Sequence, residues 1–593
     1  MRVNTTLFHL FAAALVLVLP ACTPSVTGDR PEAGERNGTI PIKIIAFNDF
    51  HGNLEPPKRA ITIERPEGKT EIPAGGASYF ASAIAALKAQ NPLNITVSAG
   101  DMTGASPLIS SLFLDEPTIG TMNLIGVDLN AVGNHEFDRG SDELLRLQKG
   151  GCAKFTQREP CQIDKDFRGA SFQYLAANAV RQDGSTLFPA YSIRTFHHAR
   201  GDVRIGFIGM TLKGTADLVS AAGIRGISFT DEARTANALI PRLRAEGADI
   251  IVILIHQGGS VTAPHGDQSC AGLEGDIIPI LDALDPSVDL VISGHTHRDY
   301  ICDYGTRNPA RPFLLTSAGQ YGTLLTDIDL QIDPATRRIV SRHAENIIVQ
   351  GEAFKGASGE VPVNPAVPAY PKEPRVQVLV DRYKAASVSL SERVVGHVAA
   401  PVTRTTNAAG EQALGDLIAD AQLAALKGPG GAQIAFMNQG GVRADLLPGE
   451  DGSVTFGTLY TIQPFGNALT VKSFTGQQIF DLLEQQFRVE GSVQHILLPS
   501  ANVRYSYDWT RPAGARVSDL RIDGKAVDRK ARYRVATSTF LGDGGDGFTV
   551  LRQGTDAFLG PLDLEALEAY FAGRDKIALP QSDRIRRLDT PRL

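Results

Sequence analysis

Seven side chains able to hold metal ions stand directly after short apolar runs, in five separate places along the chain. Asp49 and His51 follow IKIIAF in the stretch AFNDFHGNLEP, and Asp101 follows NITVSA and Gly100. Asn134, with His135 and Glu136 behind it, follows LNAV and Gly133; His256 closes DIIVILI; His295 and His297 follow VDLVI in Ser293-Gly294-His295-Thr296-His297. Imidazoles mixed with carboxylates suit zinc, manganese, iron or similar ions, whereas an all-oxygen set would suit magnesium or calcium. Two such ions about 3.5 to 4 Å apart need a shared carboxylate to offset their repulsion, and together they polarise a phosphoryl group and a bridging water. Asp101, alone after its glycine, is the natural bridge. Taken singly, each place has an ordinary explanation: loop polarity for Asp49 and His51, a helix N-cap for Asp101, a turn for Asn134, a half-buried histidine for His256. All five at strand ends together point to a binuclear centre.

The elements that must carry these residues are legible in the same way. From residue 41 to about 350, short β-branched runs alternate with helical stretches such as ASYFASAIAALKAQ and DEARTANALIPRLRAEG, the mark of a layered α/β structure. In open α/β sheets the binding crevice lies at the carboxyl ends of the strands, so residues distant in sequence converge there. The proline-rich GEVPVNPAVPAYPKEP then separates this part from a helix, RVQVLVDRYKAASVSLSERV. Beyond residue 395 a second α/β domain is expected, with a helix over ALGDLIADAQLAAL and strands over AQIAFMN, ALTVKSF and YRVATST.

The chain has 593 residues, 43% hydrophobic and 21% charged, enough for at least two cores. Its net charge of -7 gives no overall attraction for nucleic acid or anionic membranes, and there is no nucleic-acid motif or internal repeat. An anionic substrate therefore needs a locally positive site, which bound metals would supply. The opening MRVNTTLFHLFAAALVLVLPAC has the anatomy of an export signal, too short in its apolar run to span a membrane comfortably. Leu19-Pro20-Ala21-Cys22 resembles a bacterial lipobox with Cys22 as the acylated residue; ordinary cleavage and release to the periplasm is the alternative. Residues 23–40 read as a polar tether. The other cysteines, Cys152, Cys161, Cys270 and Cys302, form an even set suited to disulfides. Three pairings are open; Cys152 with Cys161 would close a short loop, and Cys270 with Cys302 a longer one.

Asp-x-His, Gly-Asp, Gly-Asn-His-Glu, a lone strand-end His and Gly-His-Thr-His, in that order, resemble the calcineurin-like metallophosphoesterase pattern. The later ALGDLIAD, MNQGGVR, QPFGNAL and FLGDGGDGF are similar to the C-terminal domain of bacterial and animal 5′-nucleotidases. The resemblance implies a metallophosphoesterase domain over 41–350, a proline-rich junction and linker helix over 351–394, and a substrate-binding domain over 395–593. It implies one metal on Asp49, His51, Asp101 and His297, and a second on Asp101, Asn134, His256 and His295, zinc or manganese being the expected ions. His135 matches the family's catalytic histidine and Asp138 the carboxylate that orients it. Phe465 and Phe540 match two base-stacking aromatics, Asp546 a ribose acceptor, Asn438 a residue near the base and Arg443 a phosphate-facing arginine.

The expected activity is therefore hydrolysis of extracytoplasmic nucleotides to nucleosides and phosphate, by in-line attack of a metal-bridging hydroxide, in a monomer that is periplasmic or lipid-anchored. Family members deliver the nucleotide to the metals by rotating the second lobe, with the proline-rich junction and the helix near residues 375–394 as the candidate hinge here. One departure from the family is visible: an arginine that precedes the ALGDLI-type helix in well-known nucleotidases has no counterpart in TRTTNAAGEQALGDLI, where Arg404 lies farther upstream. This leaves 2′,3′-cyclic nucleotides, nucleotide sugars and nucleoside diphosphates as rival substrates. A surface lipoprotein that binds nucleotides without turnover, and a thiosulfate-ester hydrolase on the same scaffold, are the other readings.

Overall fold

The computed structural model describes residues 38–65, 68–156, 158–219, 223–356, 359–487, 495–572, 574 and 577–589. The export signal, Cys22 and most of the tether lie outside the described residues. Among those described, no helix is long and apolar enough to cross a membrane.

Two six-stranded mixed sheets build the N-terminal half. One runs Ile339–Ile348, Leu324–Ile332, Ile40–Phe47, Asn94–Ser98, Leu129–Ala131, Gln173–Leu175 across its width; the other runs Asp299–Asp303, Leu314–Ala318, Leu290–Ser293, Ile250–His256, Val203–Thr211, Tyr191–Phe196. Alternation along each strand explains the layering, because successive side chains point to opposite faces. Ile42, Ile44 and Ala46 pack with Ile205, Phe207, Val252 and Leu254 between the sheets. Their neighbours face outward: Ile45 and Phe47 join a core under helix Ala77–Gln90, and Ile251, Ile253 and Ile255 join another under helices Glu232–Ala245 and Ile277–Ala283. Burial on both faces is why these strands read as continuous apolar runs.

Strands Ile40–Phe47, Asn94–Ser98 and Leu129–Ala131 run parallel in one sheet, as do Val203–Thr211, Ile250–His256 and Leu290–Ser293 in the other. Their carboxyl ends carry the seven candidate ligands. The disulfides are Cys152–Cys161 and Cys270–Cys302; the second ties the loop after His256 to the strand that follows His297.

The proline-rich stretch is more ordered than a spacer. It forms a hairpin, Phe354–Gly356 with Gly359–Val361, and buries Val367 beside Ile72, Ala74 and Ile348. Helix Pro374–Ser391 then starts with proline in its first turn and with the Glu373 carboxylate accepting from Val376 N–H at 2.7 Å. Its buried Val376, Val380, Tyr383 and Ser387 fall on one stripe, packed against helices Ala77–Gln90, Leu108–Ser111 and Glu116–Ile125.

The C-terminal half holds a five-stranded sheet, ordered Leu497–Pro499, Ile434–Asn438, Arg532–Ser538, Ala468–Thr475, Thr555–Leu562, and a four-stranded one. Helix Ala413–Lys427 packs on the first. The mixed α/β class expected from the sequence is what the chain adopts.

Candidate metal centre and adjoining pocket

Each candidate ligand sits at or just past the end of its strand, and at five of the seven the backbone turns hard. Asp49, His51, Asp101, His295 and His297 all have positive φ, between 47° and 72°. Non-glycine residues reach this left-handed region at a cost of about 1–3 kcal/mol each, and such strain clusters at functional sites. The turns aim the side chains inward. His297 Nε2 lies 3.2 Å from Asp49 Oδ1 and 3.1 Å from His51 Nε2, and His51 Nε2 lies 3.7 Å from Asp49 Oδ1. Asp101 Oδ2 is 3.7 Å from His51 Nε2 and 2.9 Å from His256 Nε2, so one carboxylate oxygen stands between two histidines on different sheets. The donor atoms fall into two groups, Asp49–His51–His297 and Asp101–His256–His295.

The donor set fits two divalent cations. Asp49 Oδ1, Asp101 Oδ2, Asn134 Oδ1 and His256 Nε2 are buried and make no well-directed hydrogen bond, facing neighbouring donor atoms such as the Asp101 Oδ2–His256 Nε2 pair at 2.9 Å instead, although buried polar atoms are ordinarily satisfied. The opposite atoms of Asp49, Asp101 and His256 are engaged, as is Nδ1 of His51. His51 Nδ1 lies 2.8 Å from the Gly104 carbonyl and His256 Nδ1 2.8 Å from the Ala99 carbonyl. These contacts leave each Nε2 lone pair for a metal. Asp49 Oδ2 accepts from Asn48 at 2.7 Å and from His295 N–H at 2.9 Å, and Asp101 Oδ1 accepts from His135 N–H at 2.8 Å. Burial holds His295 at about 3 and His297 at about 4, in the neutral, ligating form, whereas, against its burial, the Asp101 and Asp49 carboxylates push His256 up to about 10.

Three supporting residues carried no separate signal in the sequence. Glu136, in the quoted Gly-Asn-His-Glu, points away from the ligands and accepts from the backbone N–H groups of Asp101 (2.9 Å), Met102 (2.8 Å) and Gly133 (2.8 Å), joining two ligand loops. Asn48 bridges Asp49 to the Gly319 carbonyl at 2.7 Å and the Ala318 N–H at 2.7 Å. Asp115 pairs with Arg139 and accepts from Gly104 N–H at 3.3 Å, behind the carbonyl that orients His51. Only their positions in quoted motifs could have flagged Glu136 and Asn48.

His135 stands beside the ligands. Its Nδ1 is 3.0 Å from each Asp138 carboxylate oxygen, and Asp138 Oδ2 is fixed by Ala105 N–H at 2.9 Å. On its other side Phe465, from the C-terminal half, stacks on the imidazole with centroids 5.6 Å apart and planes 16° apart.

This contact closes one wall of a cavity of about 250 Å³, which Asn134, His135, Asp138 and His295 line from one side and Asn438, Arg443, Phe465, Phe540 and Asp546 from the other. Phe540 packs on Gly545, where a Cβ would come within 2.6 Å of the ring, and Asn438 donates to Asp546 at 2.7 Å. Phe465 and Phe540 share the cavity without stacking on each other among the described residues. The Arg443 guanidinium is 5.9 Å from the Phe465 centroid, and its Nε is buried without a hydrogen bond. Arg404 is not in this cavity; it lines a neighbouring groove.

Residues 42–299 match the calcineurin-like phosphoesterase family and residues 394–553 the 5′-nucleotidase C-terminal domain. The chain belongs to the 5′-nucleotidase-type metallophosphoesterases. The chain is 28% identical over 552 residues to the endonuclease YhcR of Bacillus subtilis, covering 92% of its own length but 41% of that relative's. With the NAD 5′-nucleotidase of Haemophilus influenzae it shares 24% identity over 569 residues, 87% of either chain. The crystal structure of a 5′-nucleotidase precursor from Thermus thermophilus superposes with a TM-score of 0.71 at 23% identity, covering 93% of this chain and 100% of that one, a likeness of fold. The two ligand groups agree with the dinuclear metal site that calcineurin-like phosphoesterases use.

Proposed function

We propose that this chain is an exported phosphohydrolase that releases phosphate from nucleotides. The observation that carries this reading is the single cavity shared by His135 and two metal-ligand candidates with Phe465, Phe540, Asn438 and Asp546. A phosphate ester placed at the ligands has aromatic faces and hydrogen-bonding groups within reach for the rest of a nucleotide.

In this reading Asp49, His51, Asp101 and His297 hold one ion and Asp101, Asn134, His256 and His295 the other. Bound divalent ions of the zinc or manganese kind supply Lewis acidity at phosphoryl oxygens and a nucleophile at neutral pH. His135, oriented by Asp138, gives a proton to the leaving ribose oxygen. Arg443 faces the phosphate, Phe465 and Phe540 take the base between them, and Asp546 accepts from the ribose hydroxyls. Residues 41–350 and 395–593 act as two lobes joined through 351–394. The N-terminal segment directs export, with Cys22 as the site of a lipid if the lipobox is used.

The test is Phe540→Ala assayed on AMP and on 4-nitrophenyl phosphate. The Michaelis constant for AMP should rise about tenfold or more, as base–aromatic stacking contributes about 1–3 kcal/mol, with little change for the aryl ester. Equal losses on both substrates would defeat the assignment of the base site. Running UDP-glucose and 2′,3′-cyclic AMP beside AMP separates the rival substrates.

A further inference from the structure

Three contacts bound the His135 ring, and one of them crosses from the C-terminal half. Asp138 meets its Nδ1. The His51 ring stands against it nearly at right angles, with centroids 5.1 Å and planes 71° apart. Phe465 lies along its face, with centroids 5.6 Å and planes 16° apart. In the proposed function Phe465 takes one side of a base; its contact with the imidazole has no part in that task.

The backbone that carries Phe465 is pinned at both ends of the turn Gln463-Pro464-Phe465-Gly466-Asn467. At one end the Gln463 N–H donates to the Leu459 carbonyl at 3.0 Å, closing helix Phe456–Ile462, and the Ile462 carbonyl accepts from Arg443 N–H at 2.9 Å. At the other end the Asn467 carbonyl accepts from Asp563 N–H at 2.8 Å. Oδ2 of the buried Asp563 accepts in return from the Asn467 N–H at 3.3 Å and from its side-chain amide at 3.4 Å. Gly466, at φ 66°, makes the bend between the ring and this clasp.

A proton donor is effective only when its N–H points along the line to the leaving oxygen. Asp138 fixes one edge of the imidazole, but a hydrogen bond to a single ring nitrogen constrains direction more than plane, and the ring torsion of histidine is intrinsically broad. The ring can therefore tilt about that edge. A flat apolar ring laid along its face removes the tilt, and offset stacking at this separation is an arrangement that aromatic rings prefer. Because the turn under Phe465 is clasped at both ends, the stacking ring is itself held in place.

We propose that Phe465 is a positioning residue for His135, holding the plane of the imidazole for proton donation as well as receiving a base. This rests on the phosphohydrolase reading and deepens it. The acid in the N-terminal half then takes its alignment from a side chain of the C-terminal half.

The experiment uses the full zinc-loaded chain as wild type, Phe465→Leu and Phe465→Tyr, with circular dichroism to show that the fold is retained. Leucine keeps apolar bulk without a flat face, and tyrosine restores the face. Ribose 5-phosphate has a poor leaving group and no base, so lost base stacking cannot affect it, whereas 4-nitrophenyl phosphate needs little proton donation. For ribose 5-phosphate, kcat/KM should fall about tenfold or more in Phe465→Leu, part of what a general acid contributes, and return in Phe465→Tyr. The aryl ester should change much less. Unchanged kcat/KM for ribose 5-phosphate beside a raised Michaelis constant for AMP would confine Phe465 to the base and overturn the proposal, as would equal losses on ribose 5-phosphate and the aryl ester. A readout without turnover checks the contact itself: in protein with isotope-labelled histidine, the His135 ring signals, identified by their loss in His135→Gln, should move in Phe465→Leu and return in Phe465→Tyr. Signals that stay put in both variants would overturn the proposal. A wild type that releases phosphate from none of the three esters, whatever those signals do, would instead defeat the phosphohydrolase reading and this role with it.

Discussion

His135 and Asp138 form a tight pair at the mouth of the metal-ligand cluster, with Nδ1 of the imidazole 3.0 Å from both oxygens of the carboxylate. The pairing leaves Nε2 as the atom that can serve a substrate. Asp138→Asn should lower kcat for AMP by about tenfold to a hundredfold, because orientation and basicity of the imidazole are both weakened. An ester with a good leaving group needs little proton donation, so 4-nitrophenyl phosphate should lose much less. Matching losses on the two substrates would argue that Asp138 only supports the loop.

Asp101 Oδ2 lies 2.9 Å from His256 Nε2 in its own ligand group and 3.7 Å from His51 Nε2 in the other, the place proposed for the bridge, and Asp101→Asn removes the charge there while preserving shape. Dialysed protein should then carry fewer than one metal ion per chain by elemental analysis, against two in the wild type after reconstitution. Turnover should fall by about 10³-fold or more, the scale of a lost electrostatic stabiliser at a reacting centre. A variant that keeps both ions would show that the bridge lies elsewhere. Treating wild-type protein with a chelator should give the same loss, reversed by adding back a divalent ion.

Glu136 gathers three backbone N–H groups from the two loops that carry Asp101 and Asn134. Glu136→Gln turns an amide NH2 toward at least one of those donors, and each buried donor left unpaired costs about 1–3 kcal/mol. Thermal unfolding should occur at lower temperature and metal affinity should weaken about 10–100-fold, as for other groups that hold ligands in place. Unchanged metal affinity with lowered stability would limit Glu136 to a structural role.

The candidate ligands could be picked out in the sequence because metal binding demands particular residue types and parallel strands bring their ends together. Asp49, His51, Asp101, His256 and His297 needed only the recognition of strand ends. Glu136, Asn48 and Asp115 act through backbone amides and carbonyls of distant segments, which residue types do not announce. His135 and Phe465 are separated by more than 300 positions in the chain, and their contact depends on how the two halves pack. The proline-rich stretch read as a spacer because its few apolar residues have no periodicity; Val367 finds its partners in strands far away. Which of the three cysteine pairings forms was likewise left open, and it is an isolated bridge between Ser269 and Cys302 that sets Cys270 beside its partner.

Asp563 offers a test of the C-terminal core that does not involve the metals. Burial pushes its carboxyl up to about 7, although the Leu564 N–H and the Asn467 amide groups hold it down in part. In the unfolded chain the same group titrates near about 3.9. Between these values the folded state keeps a proton that the unfolded state has lost, so stability from this group is full below about pH 4, declines as pH rises and is gone above the folded value. The urea midpoint of the wild type should therefore fall from pH 5 to pH 8. Asp563→Asn has no proton to lose and should fall less over that range. The difference between the two curves isolates Asp563 from every other titrating group, provided that both proteins unfold in one step. Parallel curves would mean that the side chain is ionised in the folded protein and that water or an unrecognised cation reaches it.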